Sequence, residues 1–73
     1  MDTTNEFRAW IDQKTAGFSR SNKKKYKQDF SQLMGIPFST VERWYGGTTF
    51  PQRIQKIAVN TETRESVFVI EEL

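Results

Sequence analysis

Apolar residues recur at helical spacing in several separate stretches of this chain, divided from one another by glycine, proline and hydroxyl residues. Phe7, Trp10 and Ile11 lie three and four apart, Thr4 or Asn5 ahead of them can cap a helix N-terminus, and Gly17 follows where a left-handed residue closes one. The pattern predicts a first helix over 5–16. Ser21 offers a second cap, and Tyr26, Phe30, Leu33 and Met34 form one stripe with lysines on the other faces, which predicts a second helix over 22–34. Gly35 ends that helix because glycine reaches positive φ without a Cβ clash, and Ile36-Pro37 does not continue it. A short third helix over 38–45 puts Val41 and Trp44 on its inner side, closed by Gly46 and Gly47. Pro51 suits the first position of a fourth helix carrying Ile54, Ile57 and Ala58.

The last apolar stretch, Ser66-Val67-Phe68-Val69-Ile70, is β-branched and aromatic without a breaker and predicts a strand over about 66–71. Two partners are open to it. One is an antiparallel strand containing Ile57 and Val59, reached across 60–64 and shortening the fourth helix; the other is the same strand of a second copy. The expected fold class is mostly α with a short C-terminal β element: one domain over 1–73, of four helices plus a strand or hairpin.

Seventy-three residues leave room for one small domain and little for a catalytic cleft. The absence of cysteine and histidine removes disulfides, thiolate and imidazole metal ligands, and the usual nucleophile and general base. Asp29 and Glu42 belong to solvent-facing stretches and make no clustered pair, so the chain is not expected to be an enzyme or to hold a metal or other cofactor. Six Phe, two Trp and two Tyr supply the core instead. No apolar run approaches the ~20 residues of a membrane span, and the N-terminus lacks secretory features. A soluble, cytoplasmic protein is expected, with neither a membrane nor a small-molecule partner.

The net charge is only +2, yet Arg20, Lys23, Lys24, Lys25 and Lys27 fall within eight residues free of acid, while Glu62, Glu65, Glu71 and Glu72 gather at the other end. A lysine run is either a solvated helix face or a surface for phosphates, and its place relative to a motif decides between them. Such a motif follows directly. A helix-turn-helix needs a tight turn and inward apolar residues at fixed offsets; Gly35 supplies the turn, and Phe30, Met34, Ile36, Val41 and Trp44 the locking positions.

The run Gly35-Ile36-Pro37-Phe38-Ser39-Thr40-Val41-Glu42-Arg43-Trp44-Tyr45-Gly46-Gly47 resembles the Cro/repressor class of phage and bacterial helix-turn-helix regulators. Gly47, Pro51, Ile54, Ile57 and Ala58 continue the likeness, which covers about 27–58 with the motif at about 27–47. Ser31 stands where the family has a small alanine, the lysine-rich segment before the motif is longer than in most members, and the C-terminal strand is similar to the Cro hairpin. The resemblance implies a transcriptional regulator of repressor type that binds double-stranded DNA. Phe38, Ser39, Glu42 and Arg43 would meet base edges: arginine pairs with guanine O6 and N7, a carboxylate accepts from cytosine N4, and an apolar ring packs on the thymine methyl. Lys23, Lys24, Lys25, Lys27, Gln28, Thr40, Thr48, Thr49 and Arg53 would contact phosphate.

A single small module buries little DNA surface, which favours a homodimer, and Val67, Phe68, Val69 and Ile70 are the expected dimerisation strand. Two other roles stand beside the regulator. One is a phage accessory protein that bends DNA; the other is a protein-binding inhibitor or antirepressor that adds residues 67–70 to a partner's sheet.

Overall fold

Asn5 opens the first helix, α1 (Glu6–Lys14), by accepting the Arg8 amide on its side-chain oxygen at 3.0 Å. The computed structural model describes residues 5–70; Thr4, the alternative cap, and the acids Glu71 and Glu72 lie outside them. α1 stops at Lys14, short of the expected 16, because the Thr15 hydroxyl turns back onto the Ile11 carbonyl at 2.7 Å and Gly17, at φ 83°, reverses the chain. Ser19 then caps α2 (Arg20–Met34), accepting the Asn22 amide at 3.2 Å, so α2 begins before the expected Ser21 cap.

Gly35 closes α2 at φ 68°, ψ 29°. Its amide bonds to the Gln32 carbonyl at 3.2 Å and the Ile36 amide to the Ser31 carbonyl at 3.0 Å, the paired closure that a left-handed residue allows. Two residues later α3 (Phe38–Gly46) starts. It ends in the same way at Gly47, φ 80°, with the Gly47 amide on Trp44 and the Thr48 amide on Arg43 at 3.2 and 3.0 Å. The last helix, α4 (Arg53–Thr63), begins after Gln52 rather than at Pro51, and the Gln55 side chain accepts the Gln52 amide at 2.8 Å.

Phe7 lies at the centre of the core. Its ring meets Phe30 of α2 at 5.2 Å, stands edge-on to Trp44 of α3 at 5.8 Å and 87°, and stacks on Phe68 at 6.2 Å and 6°. Trp10, Ile11, Val41, Val59 and Val67 complete the buried cluster. Aromatic pairs in these geometries add about 0.5–1.5 kcal/mol each beyond the area they bury, and they restrict ring directions as well as positions.

No strand is present among the described residues, so the C-terminal β element is absent from them. Val67 and Phe68 are 6% and 4% exposed and belong to the chain's own core, so of the four residues expected to form a dimerisation strand Val69 alone is strongly exposed, and Ile70 is half-buried. The physical reason lies in their backbone partners. Residues 57 and 59, the possible strand, are helical in α4, and the Asn60 side chain takes both the amide and the carbonyl of Phe68, at 3.0 and 2.9 Å. Glu6 accepts the Val69 amide at 3.0 Å. An amide and a carboxylate thus do the work of a neighbouring strand.

The spacing of Ile54, Ile57 and Ala58 predicts a helix in this stretch. The helix forms, but its buried residue is Val59, and Ile54 and Ile57 are 74% and 39% exposed. Together with exposed Phe50 they leave large apolar side chains on the surface around the first half of α4.

Phe68→Ala should lower stability by about 3 kcal/mol or more, as loss of a buried aromatic does. Urea unfolding measures it. A midpoint equal to that of the unmodified chain, with only self-association lost, would return Phe68 to an intermolecular role.

Candidate nucleic-acid interface

α3 is amphipathic in the strict sense that its faces have different tasks. Val41 and Trp44 are buried, whereas Ser39, Glu42 and Arg43, at spacings of three and four, form one exposed face. Phe38 and Thr40 are half-buried at the start of the helix. The buried side sets this orientation, because Trp44 is held edge-on to Phe7 and cannot rotate outward without opening the core.

The C-terminal end of α3 is fixed from α1. The Asn5 amide nitrogen donates to the Trp44 and Tyr45 carbonyls at 2.9 and 3.2 Å while the same side chain's oxygen caps α1. With the Arg43 carbonyl taken by Thr48, the Arg43, Trp44 and Tyr45 carbonyls at the end of α3 all have partners within the chain. Sequence reading found Asn5 as a cap and missed this second task, which no local pattern signals across 39 and 40 residues of chain.

The lysine run divides by helical periodicity. Lys23 bonds Asp12 at 2.8 Å and lies 5.1 Å from the Tyr45 ring centroid. Lys27, four residues on, is only 9% exposed; its ammonium reaches Glu42 at 3.0 Å and sits 4.3 Å from the same ring. Lys27 is therefore turned toward α3 and already holds an anion, which departs from the expected surface cation for phosphate. Lys24, Lys25 and Gln28 face outward, as does Arg20. Among the described residues neither Lys24, Lys25, Arg43 nor Arg53 makes an ion pair, and Thr48, Thr49 and Arg53 are exposed.

Tyr45 was not singled out from the sequence, yet it organises this region. Its hydroxyl donates to Asp12, and three cations from α1 and α2, Arg8, Lys23 and Lys27, surround its ring at 4.3–5.2 Å. The one sequence signal was the helical spacing of Arg8 and Asp12, which face each other at 3.9 Å. Bonds from Lys23 and then Tyr45 hold the Asp12 carboxyl below its usual range, and Asp12 in turn raises Lys23. On the opposite side of α1, Glu65 accepts from Lys14 at 2.9 Å and from the Trp10 indole at 3.2 Å, and its pKa is lowered by the same two contacts.

No helix among the described residues is long and apolar enough to cross a membrane. No family model, curated protein or solved structure matches the chain.

A carboxyl whose folded pKa is depressed stabilises the fold fully above its unfolded pKa and loses that contribution as pH falls through the folded value. Asp12 and Glu65 both have lowered values, so their stabilisation should disappear below about pH 4, the unfolded carboxylate range. Asp12→Asn should flatten the acid limb of a plot of urea midpoint against pH. An acid limb of unchanged slope would mean that the Asp12 contacts with Lys23 and Tyr45 add nothing in solution.

Proposed function

We propose that this chain is a small sequence-specific DNA-binding transcriptional regulator of the Cro/repressor type, which inserts α3 into the major groove and acts as a homodimer on two half-sites ~34 Å apart. The observation that carries this reading is the exposed face of α3. Ser39, Glu42 and Arg43 project from a helix whose other side is locked in the core and which lies between the left-handed glycines Gly35 and Gly47.

The chemistry of that face suits base edges. Arg43, with no ion-pair partner among the described residues, keeps its donors for guanine O6 and N7. A carboxylate among phosphates is ordinarily repelled, but the Glu42 charge is offset by Lys27 beneath it. Phe38, half-buried, has an edge for a thymine methyl, and Ser39 has a hydroxyl for a base or phosphate.

Phosphates fall to polar groups of α2, the start of α3 and the loop after it. Lys24, Lys25 and Gln28 lie on α2, Thr40 is on the first turn of α3, and Thr48 and Thr49 follow Gly47. With Val67 and Phe68 inside the core, the exposed Phe50, Ile54 and Ile57 around the first half of α4 offer apolar surface to a second copy.

Selection from a randomised duplex pool at near-physiological salt tests the reading, and enrichment of a two-fold-symmetric site is the expected result. On that site Arg43→Ala should cost about 1–3 kcal/mol and relax preference at one base position, whereas Lys24→Ala should weaken all sequences alike. Equal losses on specific and random DNA would remove Arg43 from base reading. A pool retained without enrichment, or not retained at all, would overturn the sequence-specific function.

A further inference from the structure

We infer that Lys27 is a positioning residue for base recognition: it fixes the Glu42 carboxylate on the outer face of α3 and makes no phosphate contact itself. The inference rests on the DNA-reading function of α3 and assigns that face a specificity determinant.

The ammonium of Lys27 is nearly enclosed. It lies against the Tyr45 ring at 4.3 Å and donates to Glu42 Oε2 at 3.0 Å, while the Tyr45 hydroxyl is itself tied to Asp12 on α1. Lys27 is thus held on one side by an anchored ring and offers its charge on the other to a side chain of α3. A lysine that is 9% exposed and already hydrogen-bonded has to break that arrangement to reach a phosphate; Lys24 and Lys25 have no such arrangement to break.

Glu42 gains three things from the contact. One of its oxygens is committed, which restricts a side chain that would otherwise sample several rotamers. Its charge is offset, which lessens repulsion from the phosphate backbone. Its other oxygen, Oε1, makes no hydrogen bond among the described residues, and the side chain is 42% exposed. An oriented acceptor on this face selects a base that presents an amine in the major groove, cytosine through N4 or adenine through N6. Without Lys27 the same carboxylate is free to swing and is repelled, and the selection is lost.

Salt dependence separates this role from phosphate binding, because each phosphate contact contributes close to one unit to the slope of log K against log salt. Lys27→Met keeps the aliphatic stem beneath Tyr45 and removes the charge. On the selected operator it should leave the slope unchanged while reducing discrimination about tenfold, the size of one base contact, at a single base pair that differs from the one affected by Arg43→Ala. Glu42→Gln should lose discrimination at that same base pair, and Lys27→Arg should restore most of it. Circular dichroism melting of each variant establishes that it is folded at the assay temperature, and Glu42→Gln alone still reports on the base pair if Lys27→Met is not. A slope reduced by about one with uniform weakening across sequences would make Lys27 a phosphate contact and overturn the inference while leaving the DNA function intact. Absence of any selected operator for the unmodified chain would instead remove the function on which it rests.

Discussion

The aromatic contacts of Phe7 are the constraint on which the rest of the structure depends. A chain of this length has little interior, and one ring that touches Phe30, Trp44 and Phe68 at once joins α2, α3 and the C-terminal segment to α1. Burial by itself would hold these elements together loosely. Edge-on and stacked geometries also limit how each may turn, so the direction of Trp44 against Phe7 determines which residues of α3 face outward. The exposed Ser39, Glu42 and Arg43 are a consequence of the core, and of the three Glu42 alone has an ion-pair partner among the described residues, the buried Lys27.

A polar layer lies between that core and the α3 face. Asn5 satisfies the end of α3, while Asp12, Tyr45, Lys23 and Lys27 form a connected set from α1 through α2 to Glu42. Every member of this set has a partner, and no buried side-chain nitrogen or oxygen among the described residues lacks one. This arrangement also sorts the lysines. Lys23 and Lys27, on the side of α2 toward α3, are occupied internally, whereas Lys24 and Lys25, one step round the helix, remain for solvent or an external anion.

The sequence made the helices legible because their signals are local. Asn5, Gly35 and Gly47 act within a few residues of where they stand, and the spacing of Val41 and Trp44 identified the inner face of α3. What it could not convey depends on distant partners. The run at 66–70 has the composition of a strand, but β-propensity describes fit to a half-buried surface, and Val67 and Phe68 found that surface on Phe7 with Asn60 supplying the hydrogen bonds. Ile54 and Ile57 have helical spacing and still point away from the core, because spacing identifies a stripe and not what covers it. At the proposed interface, the outward face of α3 was readable in advance. The pairing of Lys27 with Glu42 was not, since the two are 15 residues apart on different helices and either alone looks like a solvated charge.

In the proposed function the face of α3 bearing Ser39, Glu42 and Arg43 is the surface that meets DNA. Amide chemical shifts of isotopically labelled protein, followed by NMR as duplex DNA is added, test it most directly. The largest changes should fall on α3 between Phe38 and Arg43, on Thr48 and Thr49, and on the Lys24–Gln28 side of α2. Changes concentrated on Ile54 and Ile57 of α4, with α3 undisturbed, would contradict it.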